Sequence, residues 1–109
     1  MRRNKLSKRE KMEIKECIQY HHDIVDAKIC APLTLLVKFD DGKVTEYNVI
    51  EDTRRAMPHV AKVYEKLRDD PALFSNFIRK ISCIRWTDEI DLGCETLYHD
   101  GKEVNPETF

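Results

Sequence analysis

The chain has 109 residues, 41% of them apolar and 36% charged, with 19 Lys and Arg against 20 Asp and Glu. That length suits one domain and excludes two of ordinary size, and no run approaches the roughly 20 consecutive apolar residues of a bilayer span. A formal charge of -1 excludes a surface basic enough all over to coat nucleic acid, and the opening MRRNKLSKREK lacks the apolar stretch of a secretory signal, so a cytoplasmic protein is expected.

The near-neutral total hides an uneven distribution. Seven cations face two anions between Met1 and Lys15, whereas from Cys83 onward two cations face seven anions. Arg2, Arg3, Lys5, Lys8, Arg9 and Lys11 therefore form a cationic leader able to neutralise several phosphates. With no aromatic residue among them to stack on bases, backbone contact is expected over sequence reading.

Ser7 and Glu10 have the spacing of a capping box, which predicts a helix from about Lys8 to Tyr20 or His21. Ile14, Cys17, Ile18 and His21 recur at three-to-four spacing and mark one narrow apolar stripe, a candidate partner-binding face. His21-His22-Asp23 is a dense group of potential metal ligands. Adjacent helical side chains diverge by about 100°, however, which disfavours joint chelation, and histidine also suits a helix C-terminus. No metal site and no cofactor are therefore expected. Cys17, Cys30, Cys83 and Cys94 include no C-x-x-C pair and are read as free thiols, mostly buried.

From Asp23 the period becomes two. Val25, Ala27, Ile29 and Ala31 alternate with Ile24, Asp26, Lys28 and Cys30, the pattern of a half-buried strand that Pro32 ends. Leu33 to Phe39 is the most apolar run and the best central strand, with Leu35, Val37 and Phe39 on one face. Asp40-Asp41-Gly42 supplies a hairpin turn, and Lys43 to Ile50 returns as a third strand. The predicted cover is a helix with Pro58 in its first turn and Val60, Val63, Tyr64 and Leu67 on its buried side. A short second helix is capped by Asp70, starts at Pro71 and is anchored by Leu73, Phe74 and Phe77. Ile81 to Trp86 reads as a fourth strand, with Trp86 packed on the helices that carry Leu67 and Phe74. Ile90 to Leu92 follows as a short strand, Glu95 to Tyr98 as one helical turn or loop, and His99 to Phe109 as a mobile tail. Asp91 is read as a structural acid that bonds a backbone turn.

Several fragments fall into one order: L-x-V-x-F-D-D-G at Leu35 to Gly42, Leu67-Arg68-Asp69 with Pro71 and Phe74, I-R-W at Ile84 to Trp86, I-D-L at Ile90 to Leu92, and Leu97-Tyr98. Together they resemble the small bacterial domain of unknown function numbered 2442, over residues 22–98. Thr87-Asp88-Glu89 stands where that family typically has Pro-Asn-Gly. The resemblance implies a mixed sheet-and-helix domain without established enzymatic activity and an antitoxin-like or regulatory role, with a cognate toxin among the partners it suggests.

The expected architecture is α+β: a basic extension and amphipathic helix over 1–21, then a single domain over 22–98. In that domain a three-strand meander plus one or two C-terminal strands is covered by one or two helices, and a tail occupies 99–109. No catalytic-triad, nucleophile-elbow or phosphate-loop spacing is present, and three glycines make no phosphate cradle, so the chain is expected not to be an enzyme. The expected function is a protein-interaction or regulatory module with an unidentified protein partner. A nucleic-acid-binding accessory protein is the first alternative and a small enzyme or metal protein the second; two open sheet edges also leave room for a homodimer.

Overall fold

The computed structural model describes residues 22–109. Strands β1 (Ile24–Ala31), β2 (Thr34–Phe39) and β3 (Val44–Asn48) form an antiparallel meander. Helices α1 (Glu51–Ala56), α2 (Ala61–Asp69) and α3 (Pro71–Ser75) come next, then the short strands β4 (Ile78–Arg79), β5 (Cys83–Arg85) and β6 (Asp91–Gly93). Helix α4 (Cys94–Asp100), strand β7 (Lys102–Val104) and a 3-10 turn at Pro106–Thr108 complete the described chain. The architecture is α+β, and no helix among the described residues is long and apolar enough to cross a membrane.

The strands belong to two sheets, ordered β1-β2-β3-β7 and β4-β5-β6. The C-terminal strands are thus divided: β5 and β6 make a separate antiparallel sheet with β4, and only β7 extends the meander. The expectation of a mobile tail is corrected on the same ground. His99 and Asp100 close α4, and Val104, Glu103 and Lys102 pair with Val44, Thr45 and Glu46 of β3. Three residues with one apolar side chain carry little strand signal of their own, and the strand exists because β3 offers an edge.

Leu35, Val37 and Phe39 of β2 are buried as expected, and each such side chain removed from water contributes roughly 1.5–3 kcal/mol. The alternation expected in β1 is broken. The register slips between Ile24 and Asp26, so Ile24 sits opposite Phe39 and is buried, whereas Val25 is turned out and 44% exposed. A bulge adds one residue to one strand and so switches faces at that point; beyond it Ala27 and Ile29 lie opposite Val37 and Leu35. The tight β1–β2 connection places Leu33 at φ 57, an unfavourable backbone region for a side chain of this type. Leu33 is held there because its side chain packs on the core and its carbonyl accepts the Val49 N–H at 2.9 Å. At the β2–β3 turn the positive φ falls on Gly42, as Asp-Gly predicts.

Helix α2 starts at Ala61, after a turn that contains Pro58, and buries Ala61, Tyr64 and Leu67. Helix α3 follows its sequence signal closely: Pro71 is its first residue and the Asp70 carboxylate accepts the Leu73 N–H at 3.1 Å. Trp86 stacks on Phe74 with ring centroids 6.1 Å apart and donates its indole N–H to the Phe74 carbonyl at 2.9 Å, so it is a core residue. The six-residue α1 has no apolar stripe; Thr53 is its buried residue and lies 3.0 Å from the Tyr47 hydroxyl. The second sheet adds Ile84 and Leu92, and the bend after β5 adds Trp86, to the same core as the meander and α2. Thr45, fully buried in β3, donates its hydroxyl to the Leu97 carbonyl at 2.8 Å and anchors α4 to the sheet.

Candidate functional site

The anchored α4 places Glu95 and His99 one turn apart on a common face, which the start of β1 meets with His22. The Glu95 carboxylate is the focus. His22 donates its backbone N–H to Oε2 at 3.0 Å and brings its ring Nδ1 to 3.1 Å from the same oxygen. His99 Nε2 lies 3.2 Å from Oε1. Potential ligand atoms of the three residues all fall within 4.8 Å of one another.

A second layer fixes the His22 ring. It stacks on Tyr98 at a centroid separation of 3.5 Å and an angle of 12°, while Lys43 Nζ sits 3.9 Å from the Tyr98 centroid. Tyr98 in turn donates its hydroxyl to Asp41 Oδ2 at 2.6 Å. The cluster joins the start of β1, the β2–β3 turn and α4, segments far apart in sequence. The His22 side chain is 13% exposed, whereas those of Glu95 and His99 are 44% and 58% exposed, so one side of the cluster is open to water.

Protonation follows from these contacts. Partial burial pushes the Glu95 carboxyl up, but the His22 N–H and the two imidazoles outweigh it and hold the group below its usual range. Asp41 is likewise lowered, its partial burial outweighed by the Tyr98 hydroxyl and the Lys43 N–H. Cys94, beside Glu95, is pushed up by burial and by that neighbouring charge; burial and Glu46 do the same to Cys30. Both thiols are thereby disfavoured as thiolates, the reverse of what a nucleophilic cysteine requires.

The other notable surface is the outer side of β1. Six of its eight residues are exposed, Val25 and Ile29 among them, and Ile78 and Ile81 stand out from the adjoining second sheet. Among the described residues, the backbone contact beyond β1 on that side is the Ile24 N–H to the Ile81 carbonyl at 2.8 Å. At the far end of the strand an apolar cleft of about 340 Å³ opens between Ile29, Leu33, Leu67, Pro71 and Phe74.

The residues singled out from sequence relate to these features only in part. Arg2, Arg3, Lys5, Lys8, Arg9 and Lys11, and the stripe of Ile14, Cys17, Ile18 and His21, lie outside the described residues. Of the His21-His22-Asp23 group, His22 is placed among Glu95 and His99, partners that sequence reasoning passed over. Glu95 and His99 could have been noticed together, since their four-residue spacing puts them on one helical face. Asp91 differs from its expected role: its carboxylate lies 3.7 Å from Arg85, and its backbone carbonyl, not its side chain, accepts the Tyr64 hydroxyl at 2.5 Å. Comparison with family models, curated proteins and solved structures yields no match to the chain.

Proposed function

We propose that this chain is a non-enzymatic protein-interaction module, antitoxin-like in the sense that it acts by sequestering or positioning a protein partner, and that the partner adds a strand along β1. The observation that carries the reading is the character of that edge. Sheet edges are ordinarily blunted by shortness or charge, as β7 is with three residues that include Lys102 and Glu103. The opposite edge is longer, with eight residues, and although Asp26, Lys28 and a bulge lie on it, it also exposes Val25 and Ile29 beside Ile78 and Ile81. An extended segment docked there would gain main-chain hydrogen bonds from β1 and cover apolar side chains. Kinship with the domain family numbered 2442 is part of the proposal, supported by the ordered fragments from Leu35 to Tyr98.

The test is capture of partners from the native cell extract with the wild-type chain and with Val25→Lys and Ile29→Lys, followed by amide hydrogen exchange on the recovered complex. One partner lost in both variants, with new protection over Ile24–Ala31, is the expected result. Equal capture by the variants, or protection elsewhere, refutes the edge as the interface. If light scattering shows a dimer that both variants dissolve, the occupant is a second copy of the chain.

A second reading rests on the six cations between Arg2 and Lys11: a nucleic-acid-binding accessory role through phosphate contacts. Retention on duplex DNA or RNA that falls with salt and disappears on removing the first eleven residues is its signature. Unchanged retention after truncation rules it out.

A further inference from the structure

We infer that His22, Glu95 and His99 form a binding site for a divalent transition-metal ion of the zinc type. Two imidazoles and one carboxylate are a borderline donor set, matched to Zn2+ and its neighbours. Mg2+ and Ca2+ favour sites built of oxygen ligands. Two ligand atoms each about 2.1 Å from a tetrahedral ion are about 3.4 Å apart. Measured from one ligand atom, Glu95 Oε1, His22 Nδ1 at 3.3 Å and His99 Nε2 at 3.2 Å are already close to that spacing. The remaining edge closes by rotation of His99, the most exposed of the three and in the last turn of α4.

An ordinary surface pair between Glu95 and His99 would not need His22. Here His22 turns both its backbone N–H and its ring toward the same carboxylate, and its ring plane is set by Tyr98, itself held by Asp41. Thr45 holds α4 through the Leu97 carbonyl, in the turn between the two helical ligands. Ligands oriented by such supporting contacts lose little freedom on binding an ion. The exposed side of Glu95 and His99 leaves a fourth position accessible to water or to a side chain of a bound partner.

The test uses the untagged full-length chain, stripped of metal by a chelator and titrated with Zn2+ by calorimetry and with Co2+ by visible absorption. The variants are His99→Ala and Glu95→Gln, both at partly exposed positions, with His59→Ala as a control on an exposed turn; circular dichroism verifies that each is folded. One equivalent bound by the wild-type chain, with affinity falling about tenfold to hundredfold or more in the two ligand variants and unchanged in the control, is the expected outcome. Failure of the wild-type chain to take up either ion overturns the site. Equal affinity in His99→Ala does so as well, as does a thiolate-to-cobalt charge-transfer band, which would place the ion on cysteine.

Discussion

Gly101, between α4 and β7, tests whether the C-terminal segment is built into the sheet. A Cβ added there would lie 2.6 Å from the Leu97 carbonyl oxygen and 3.0 Å from both Cβ and Oγ1 of Thr45. Neither neighbour yields easily, since one is backbone and the other is a buried β-branched side chain already bonded to that carbonyl. Overpacking of this kind costs about 1–3 kcal/mol, and prying the Thr45 hydroxyl from its acceptor adds about 1–3 kcal/mol. The glycine has φ -76 and ψ 158, which any residue adopts, so alanine returns about 0.4–1 kcal/mol through a less flexible unfolded chain. Gly101→Ala should therefore destabilise by about 2–4 kcal/mol, or roughly 8 °C or more in Tm for a chain of this size. Gly93→Ala is the matched control: its backbone is also extended, and nothing lies within 4 Å of the added carbon. Urea unfolding followed by the fluorescence of Trp86, the sole tryptophan, together with thermal circular dichroism, measures both. If the two variants agree within about 0.5 kcal/mol, the usual range for a surface change, the packing of the α4–β7 corner against β3 is refuted.

Asp70→Ala removes the α3 cap and should cost about 1 kcal/mol by urea unfolding. Trp86→Phe leaves the Phe74 carbonyl without its buried donor and should cost at least about 1–3 kcal/mol, read by circular dichroism because the fluorophore is lost. Burial pushes the Tyr47 phenol up to about 12 from its ordinary 10.0, and the bond to Asp41, with partial burial, takes Tyr98 to about 12. The unfolded chain therefore loses the Tyr47 proton first. The stability linked to Tyr47 is complete below pH 10 and is lost as pH rises from 10 toward 12, a decline that Tyr47→Phe should reduce. In a spectrophotometric titration, Asp41→Asn should return Tyr98 ionisation toward 10.

Much of the fold was legible where local chemistry and the final packing agree. The Leu35-Val37-Phe39 face, the Asp-Gly turn and Asp70-Pro71 all carry their signals within a few residues, and Trp86 meets Phe74 across only twelve. The elements that escaped notice are defined from outside. Helix α1 has the sequence Glu-Asp-Thr-Arg-Arg-Ala, and β4 and β7 have two and three residues. The bulge in β1 follows from fitting Ile24 opposite Phe39, a constraint alternation cannot show. The candidate metal site divides in the same way. Glu95 and His99 share a helical face that sequence can display, but His22 joins them only because the sheet returns the start of β1 to α4, across 73 positions.

The place of β7 beside β3 has a consequence for how the chain acquires its structure. All three helices from α1 to α3, the second sheet and α4 lie between these two strands in the sequence. As the chain leaves the ribosome, the meander can assemble early, but β3 must wait with its outer backbone groups unpaired until α1 to α4 and the second sheet have been made. Closing so distant a pair slows folding and prolongs the exposure of an adhesive edge. Glu46, the residue of β3 that Lys102 later pairs with, gives that waiting strand a charged side chain in the interim.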